Sequence, residues 1–486
     1  MGIGALNYQG VKSGIKLNDV IEEFKYAYKG QQIKAGDFVK YINGVAGITT
    51  KETVATGLGA TTPEGDAYGL AIDEETVFVV YCNSDNANYK LNGIVVKISE
   101  GVITAGTDTA ISTVSSSATR LIKPVLLPDG AVAITYNPNV NDGVGIIVCT
   151  IEGLVPVVKS TKTVTSAKRS AMFKSTTLVD ENKLFIAHAY NTSYYLYGIV
   201  VTIGEDYSIT YGTDTALYVS GQYTYYGTRL KTKTLEPNKV IIGHSASNTS
   251  GNVKLMAKVC NISGTTITYG TSTLLDNDDY SIDDNSCYGL EVLQSNKVAF
   301  VHTADGYYGM CVTLADINGN VVSVAKQQTI TTNYSQAGNR VSCALMKGNK
   351  LFIACSGPKL TGSTHGELSI VIVEIDIQNN IITQGVDTLV TDDGVVASYY
   401  TDCERINDDV VFVCYGNNSS YRDKMSRLFG IDYENLLVTT TIPVKELEQQ
   451  VILATEPPFN GIALSNGVGG DDTAHNEQVK IAKPNV

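Results

Sequence analysis

Seven apolar segments of the chain end in a residue that could bind a metal or relay a proton: Tyr81, Tyr136, His188, His244, His302, Cys355 and Cys414. Three histidines and two cysteines at one recurrent place suggest zinc, which prefers imidazole and thiolate ligands. Zinc also needs its ligands within about 2.0–2.3 Å of a single ion, whereas equivalent positions of a repeat array are spread about its axis. Only His188, His244 and His302, from consecutive repeats, could converge. The expectation is a polar ring at strand ends, with no metal and no other cofactor. The acidic stretch from Asp276 to Ser286, DNDDYSIDDNS, offers carboxylates but lacks the spacing and central glycine of an EF-hand, and reads as a solvated loop.

Linear catalytic motifs are missing. The chain contains no HExxH, no GxSxG, no dinucleotide-binding GxGxxG and no phosphate-binding GxxxxGK loop. His365 and His475 stand in Gly- or Asp-rich loops with no nucleophile close in sequence. Nine cysteines, with no CxxC among them, sit mostly in apolar runs and read as buried thiols. One route to chemistry stays open: propeller hydrolases bring paired carboxylates together from distant blades. Asp214 and Asp387 occupy the same place in a repeated segment, which marks them as repeat-structural.

The elements that would position these residues follow from a repeat. Apolar cores preceded by a polar turn begin near Val77, Val132, Leu184, Val240, Val298, Leu351 and Val410, at intervals of 55, 52, 56, 58, 53 and 59 residues. Each is flanked by three further strand-like segments. The fourth recurs almost verbatim, as ITAGTDTAI at Ile103–Ile111 and ITYGTDTAL at Ile209–Leu217, two periods apart. Four antiparallel strands repeated seven times predict an all-β fold, a seven-bladed β-propeller over residues 60–445. Stacking seven small sheets about an axis buries both faces of each, and the apolar cores, hydrophobic on successive residues, suit strands covered on both sides.

Strand order sorts the connections. The 1–2 and 3–4 turns are tight, built from Asn, Asp and Gly. The 2–3 loops and the links between blades, on the opposite face, are long and rich in Tyr, Asn, Ser and Gly, a composition suited to recognition. Candidate ligand-binding residues there are Tyr194, Tyr195, Tyr197, Tyr223, Tyr225, Tyr226, Tyr307, Tyr308, Tyr399 and Tyr400. A glycan or a protein surface would suit such a face; the plainer reading is that these rings fill strand ends and rims.

Residues 1–59 and 446–486 flank the propeller. Each is short for a core of its own, and the ends of a closed ring lie side by side. They are expected to build one small β-domain, led by an N-terminal arm, with the propeller inserted. The segments IKAGDFVKYING (Ile33–Gly44) and GIALSNGVGG…EQVKIAKPNV, within Asn460–Val486, resemble a small β-module of tailed-bacteriophage virion proteins of the capsid-decoration and head- or tail-fibre type. The resemblance implies a structural, non-enzymatic virion protein that docks on other virion proteins through its terminal segments. Its propeller would display the Tyr-rich face, with a host surface glycan or protein as partner; a tail-fibre or baseplate receptor-binding role is the near alternative. A propeller glycosidase or lyase acting on cell-surface polysaccharide is the enzymatic rival. The net charge of -13 disfavours nucleic acid and anionic membranes. No apolar run is long enough to span a membrane, and no signal peptide is evident at the start.

Overall fold

The computed structural model describes residues 67–83, 89–99, 102–114, 122–138, 143–164, 171–190, 195–217, 230–247, 253–275, 289–304, 309–331, 341–359, 366–390, 397–417 and 424–439, and single strands within 1–66 and 440–486. Every regular element among them is a β-strand. No helix is long and apolar enough to cross a membrane. Seven sheets each place four strands antiparallel in sequence order, a seven-bladed β-propeller. The first strands are Ala67–Ala71, Lys123–Leu126, Ala171–Asp180, Lys231–Glu236, Gly289–Gln294, Val341–Met346 and Ala397–Arg405. Each touches the first strand of the next blade, and the seventh touches the first, so these strands ring the axis.

The second strands are buried throughout, as in Val77–Tyr81 and Val132–Tyr136. Their side chains point alternately into the blade ahead and the blade behind. Apolar clusters accordingly bridge each pair of neighbours from blades 1 and 2 to blades 6 and 7. Phe78, Phe185, Phe352 and Phe412, all fully buried, each remove enough apolar surface from water to contribute about 1.5–3 kcal/mol. The tight turns take the left-handed backbone: Asn238 and Asn349 have φ of 63° and 57°, and Gly130 has 85°, which suits Asn and Gly.

The GTDT segment interrupts the fourth strand. In blades 1, 3, 4 and 6 that strand comes in two halves, both paired to the third strand. At the break a glycine N–H still reaches the third strand, as from Gly212 to the Val200 carbonyl at 2.9 Å. A Cβ on Gly270 would lie 2.2 Å from the Asn320 carbonyl oxygen, and one on Gly385 2.2 Å from that of Leu436. The motif recurs because each such glycine lets its blade press against the 3–4 turn of the next.

The seventh blade completes itself differently. Leu437–Thr439 supplies the first half of its fourth strand, and Lys51–Ala55, from before the first blade, pairs with Lys424–Arg427 as the second half. The strand at 51–55 therefore belongs to the propeller and not to an arm. Contacts divide the chain into one compact unit of Met1–Thr49 with Thr440–Val486 and another of Thr50–Thr439. In the former, a five-stranded sheet runs Val20–Tyr26, Gln478–Pro484, Gly461–Ala463, Phe38–Ile42, Gln450–Leu453, mixing strands from both ends of the chain. Gln32–Ile33 pairs with Gly467–Val468, and Gly47–Thr49 with Thr441–Pro443.

Candidate functional site

The residues that suggested metal binding are turned into the blades. His188, His244 and His302 are buried, not displayed at an open face. His188 Nε2 lies 2.9 Å from Asp214 Oδ1, with its ring stacked on Tyr197 at 5.8 Å. His244 Nε2 lies 3.4 Å from Ser272 Oγ, and His302 Nε2 2.9 Å from Thr313 Oγ1. In blade 1, Asn92 Nδ2 donates to Asp108 Oδ1 at 2.7 Å, and burial followed by the Asp108 carboxylate pushes the Tyr81 phenol well above its usual range. In blade 6, Ser369 donates to Asp387. Asp108, Asp214 and Asp387 thus tie the break in the fourth strand to the blade interior. Each histidine ring is engaged through Nε2 within its own blade, and the three do not converge. Among the described residues, no group of three or more His, Cys, Asp or Glu is placed to hold a metal.

One member of that series was misaligned. The carbonyls of Asn182, Asn238, Asn296, Asn349, Glu75 and Asp409 make the same turn hydrogen bond, to Ile203, Ile262, Ile317, Ile375, Ile98 and Ile431. Counting from them, the seventh-blade equivalent of His188 is Tyr415, one residue beyond Cys414. The extra residue in NDDVV shifts the register, and an apolar pattern on successive residues hides such a shift. The described cysteines Cys149, Cys260, Cys311, Cys343, Cys355, Cys403 and Cys414 are buried free thiols.

Of the candidate tyrosines, Tyr197 lies in the third strand of blade 3, opposite His188, and not in a loop. Tyr195 is half-buried just before that strand. Tyr399 and Tyr400 lie in the first strand of blade 7, where the register shifts between Ala397 and Thr401. Tyr194, Tyr223, Tyr225, Tyr226, Tyr307 and Tyr308 fall outside the described residues, as do His365, His475 and the acidic stretch Asp276–Ser286.

The structure assembles a different constellation on the axis. The first strands pair with their second strands in a register that places Leu70, Val125, Thr177, Lys233, Glu291, Ala344 and Glu404 at one level, one from each blade. Two residues back along each strand, on the same face, lie Tyr68, Lys123, Ser175, Lys231, Gly289, Ser342 and Asp402. A residue in the middle of an innermost strand has the second strand behind it and other blades beside it, so the surface it keeps opens on the axial lumen. The Lys233 side chain retains 45% of its surface, and its Nζ lies 2.9 Å from Glu291 Oε2. Glu404 is half-buried.

Electrostatics sets Glu404 apart. Burial pushes its carboxyl up to about 7; Lys123 and Lys233 oppose the rise, while Asp402 and Glu291 add to it. Burial would lower the Lys233 ammonium, but Glu291 and, farther off, Glu404 outweigh it and hold Lys233 above its ordinary value. Burial pushes the nearby Cys343 and Cys403 thiols upward, which makes them poor nucleophiles. The cluster therefore combines a carboxyl that exchanges its proton near neutrality, two further carboxylates and two lysines. That arrangement can give and take protons and hold a polar or anionic group. The first-strand segments RLKTKTLE, YGLEVL and YYTDCERI carried the signal: charges inside segments that must be innermost.

No known family profile matches the chain, and no curated protein matches it in sequence. Solved structures do resemble it. They include a family 25 polysaccharide lyase, an ulvan lyase, at 8% identity and TM-score 0.49, over 82% of this chain and 96% of that one. A periplasmic gluconolactonase of Pseudomonas aeruginosa matches at 10% and 0.45, over 81% and 100%. An α-L-arabinanase of Penicillium chrysogenum, solved with arabinobiose, matches at 11% and 0.42, over 66% and 95%. At such identities and TM-scores the likeness carries no argument about activity. The expectation of a non-enzymatic protein is corrected all the same: a missing linear motif is no ground for excluding catalysis, and neighbours that are enzymes by name give that expectation no support. None is a phage protein by name, and the expected virion role gains nothing from them.

Proposed function

We propose that the propeller is an enzyme of the glycosidase or lyase kind, acting on polysaccharide by acid–base chemistry in its axial lumen. The observation that carries this reading is Glu404: a carboxyl on an innermost strand, half-buried, titrating near neutrality and set among Asp402, Glu291, Lys123 and Lys233. Cleavage of a glycosidic bond calls for a carboxylic acid that still holds its proton at neutral pH, to protonate the departing oxygen, and for a second carboxylate. Glu404 suits the first role. Glu291, at the same level and paired with Lys233, and Asp402, two residues from Glu404, are the carboxylates available for the second. Lys123 and Lys233 would hold an anionic substituent of the sugar or the charge that develops on it.

The test is incubation of the full chain with a panel of neutral and acidic polysaccharides, following reducing ends for hydrolysis and unsaturated products for elimination. Glu404→Gln, nearly isosteric, is expected to cut turnover by about 10²–10⁴-fold while leaving the melting temperature unchanged or raised. Wild-type protein that releases product from none of them, or a Glu404→Gln protein that turns over normally, would remove the reading.

A further inference from the structure

We propose that Asp402 is a positioning residue that joins the closing seam of the ring to the acid site two residues along the same strand; the inference rests on the axial-site reading above. The seam lies between blades 7 and 1, the last and the first of the ring, and the chain enters blade 1 from the strand Lys51–Ala55 that it lends to blade 7. There the Asp402 carboxylate is buried and accepts a hydrogen bond from the Gly69 N–H of blade 1, at 3.1 Å, and from the Ser342 hydroxyl of blade 6, at 3.2 Å. Ser342 Oγ in turn accepts the Cys403 N–H at 3.1 Å. One carboxylate thus clasps three successive blades, 6, 7 and 1, where the last blade meets the first.

The same seam carries a sulfur contact and a ring contact. Cys414 Sγ lies 3.5 Å from the Ala67 carbonyl oxygen, and Gly69 packs on the Phe412 ring, which a Cβ would approach to 3.3 Å. Closing the ring therefore holds a carboxyl group between the blades, and the next residue on the same face of that strand is Glu404. The charged groups facing Glu404 are Asp402 from its own strand, Lys123 from blade 2, Lys233 from blade 4 and Glu291 from blade 5. Coupling between two sites is reciprocal. If a closed seam favours the protonated form of Glu404, ionising Glu404 must weaken the seam. Because the Glu404 carboxyl is raised on folding, its contribution to closure is complete below the ordinary carboxyl range and is lost as pH rises through about 7.

Two measurements on the full chain, both without substrate, test this. Carbon-13 NMR of the side-chain carboxyls gives the Glu404 midpoint. Asp402→Asn is expected to lower it by about one unit. Ser342→Ala, which loosens the clasp but keeps the charge, should lower the melting temperature and leave the midpoint nearly in place. Hydrogen exchange at the Gly69 and Cys403 amides of the wild type, corrected for intrinsic rate, should lose protection by up to about tenfold across the Glu404 titration, while amides within blade 4 keep theirs. The exchange arm stands even if Asp402→Asn does not fold. An unmoved midpoint in Asp402→Asn, or flat Gly69 protection across neutrality, overturns the proposal. A chain that shows both effects yet degrades no polysaccharide keeps this inference and loses the enzymatic reading.

Discussion

The first and second strands of each blade are adjacent partners in one ladder, yet they obey different rules. The second strands are apolar at nearly every position and fully buried, with Phe78, Phe185, Phe352 and Phe412 at equivalent places in four blades. The first strands ring the axis and carry Lys123, Lys231, Lys233, Glu291, Asp402 and Glu404 on one face, some buried between blades and some partly open. Neighbouring first strands are held by side-chain hydrogen bonds, such as Ser175 to Thr232 and Thr177 to Thr234, both at 3.0 Å. A strand covered on both faces is constrained to be apolar by desolvation. A strand facing a lumen is released from that constraint, and chemistry can accumulate on it without dismantling the core.

The contrast can be tested by substitution. Phe352→Ala in a second strand removes a fully buried ring that packs against Phe429 at 6.1 Å. It should cost about 3–5 kcal/mol, read as a shift in the denaturation midpoint; a loss no larger than that of a lumen-face change would erase the distinction. Gly270→Ala, at the blade 4–blade 5 contact, drives a Cβ into the Asn320 carbonyl and should cost about 1–3 kcal/mol. The same change at Gly130, where a Cβ would meet nothing within 4 Å but φ is 85°, gives the cost of a positive φ without crowding, to set against crowding without a positive φ at Gly270. A different readout, the pH dependence of stability, tests Lys174→Met. Lys174 is buried on a first strand, donates to Asn137 Oδ1, and has its ammonium lowered by burial to about 7. Between that value and the ordinary 10.5 the unfolded chain binds about one more proton than the folded one, so stability rises with pH across this window. The substitution should remove that slope in denaturation series run at several pH values. A slope that survives would show that Lys174 is not its source.

The repeat was legible because it is written in turn residues and apolar runs, which depend on local sequence. GTDTA at two-period spacing disclosed the fourth strand, and NK-type turns disclosed the second. The strand at Lys51–Ala55 was not legible. KETVA has no apolar core, and its pairing with Lys424–Arg427 depends on a partner near the far end of the propeller. The axial site was hidden for a related reason. Lys233, Glu291 and Glu404 share no local pattern and meet only because seven registers place them at one height. The histidines misled in the opposite sense: a recurrent chemical residue recurred because each blade needs its interior polar tie, as His188 and Asp214 show.

The borrowed strand at 51–55 also governs how the chain can be cut. A fragment beginning at the first blade would look complete by repeat count and still lack part of its last sheet. Its Lys424–Arg427 edge would stand open to other chains, a template for self-association. Trimming to residues 50–439 removes a separate unit, whereas trimming a few residues further from the front unfastens the wheel.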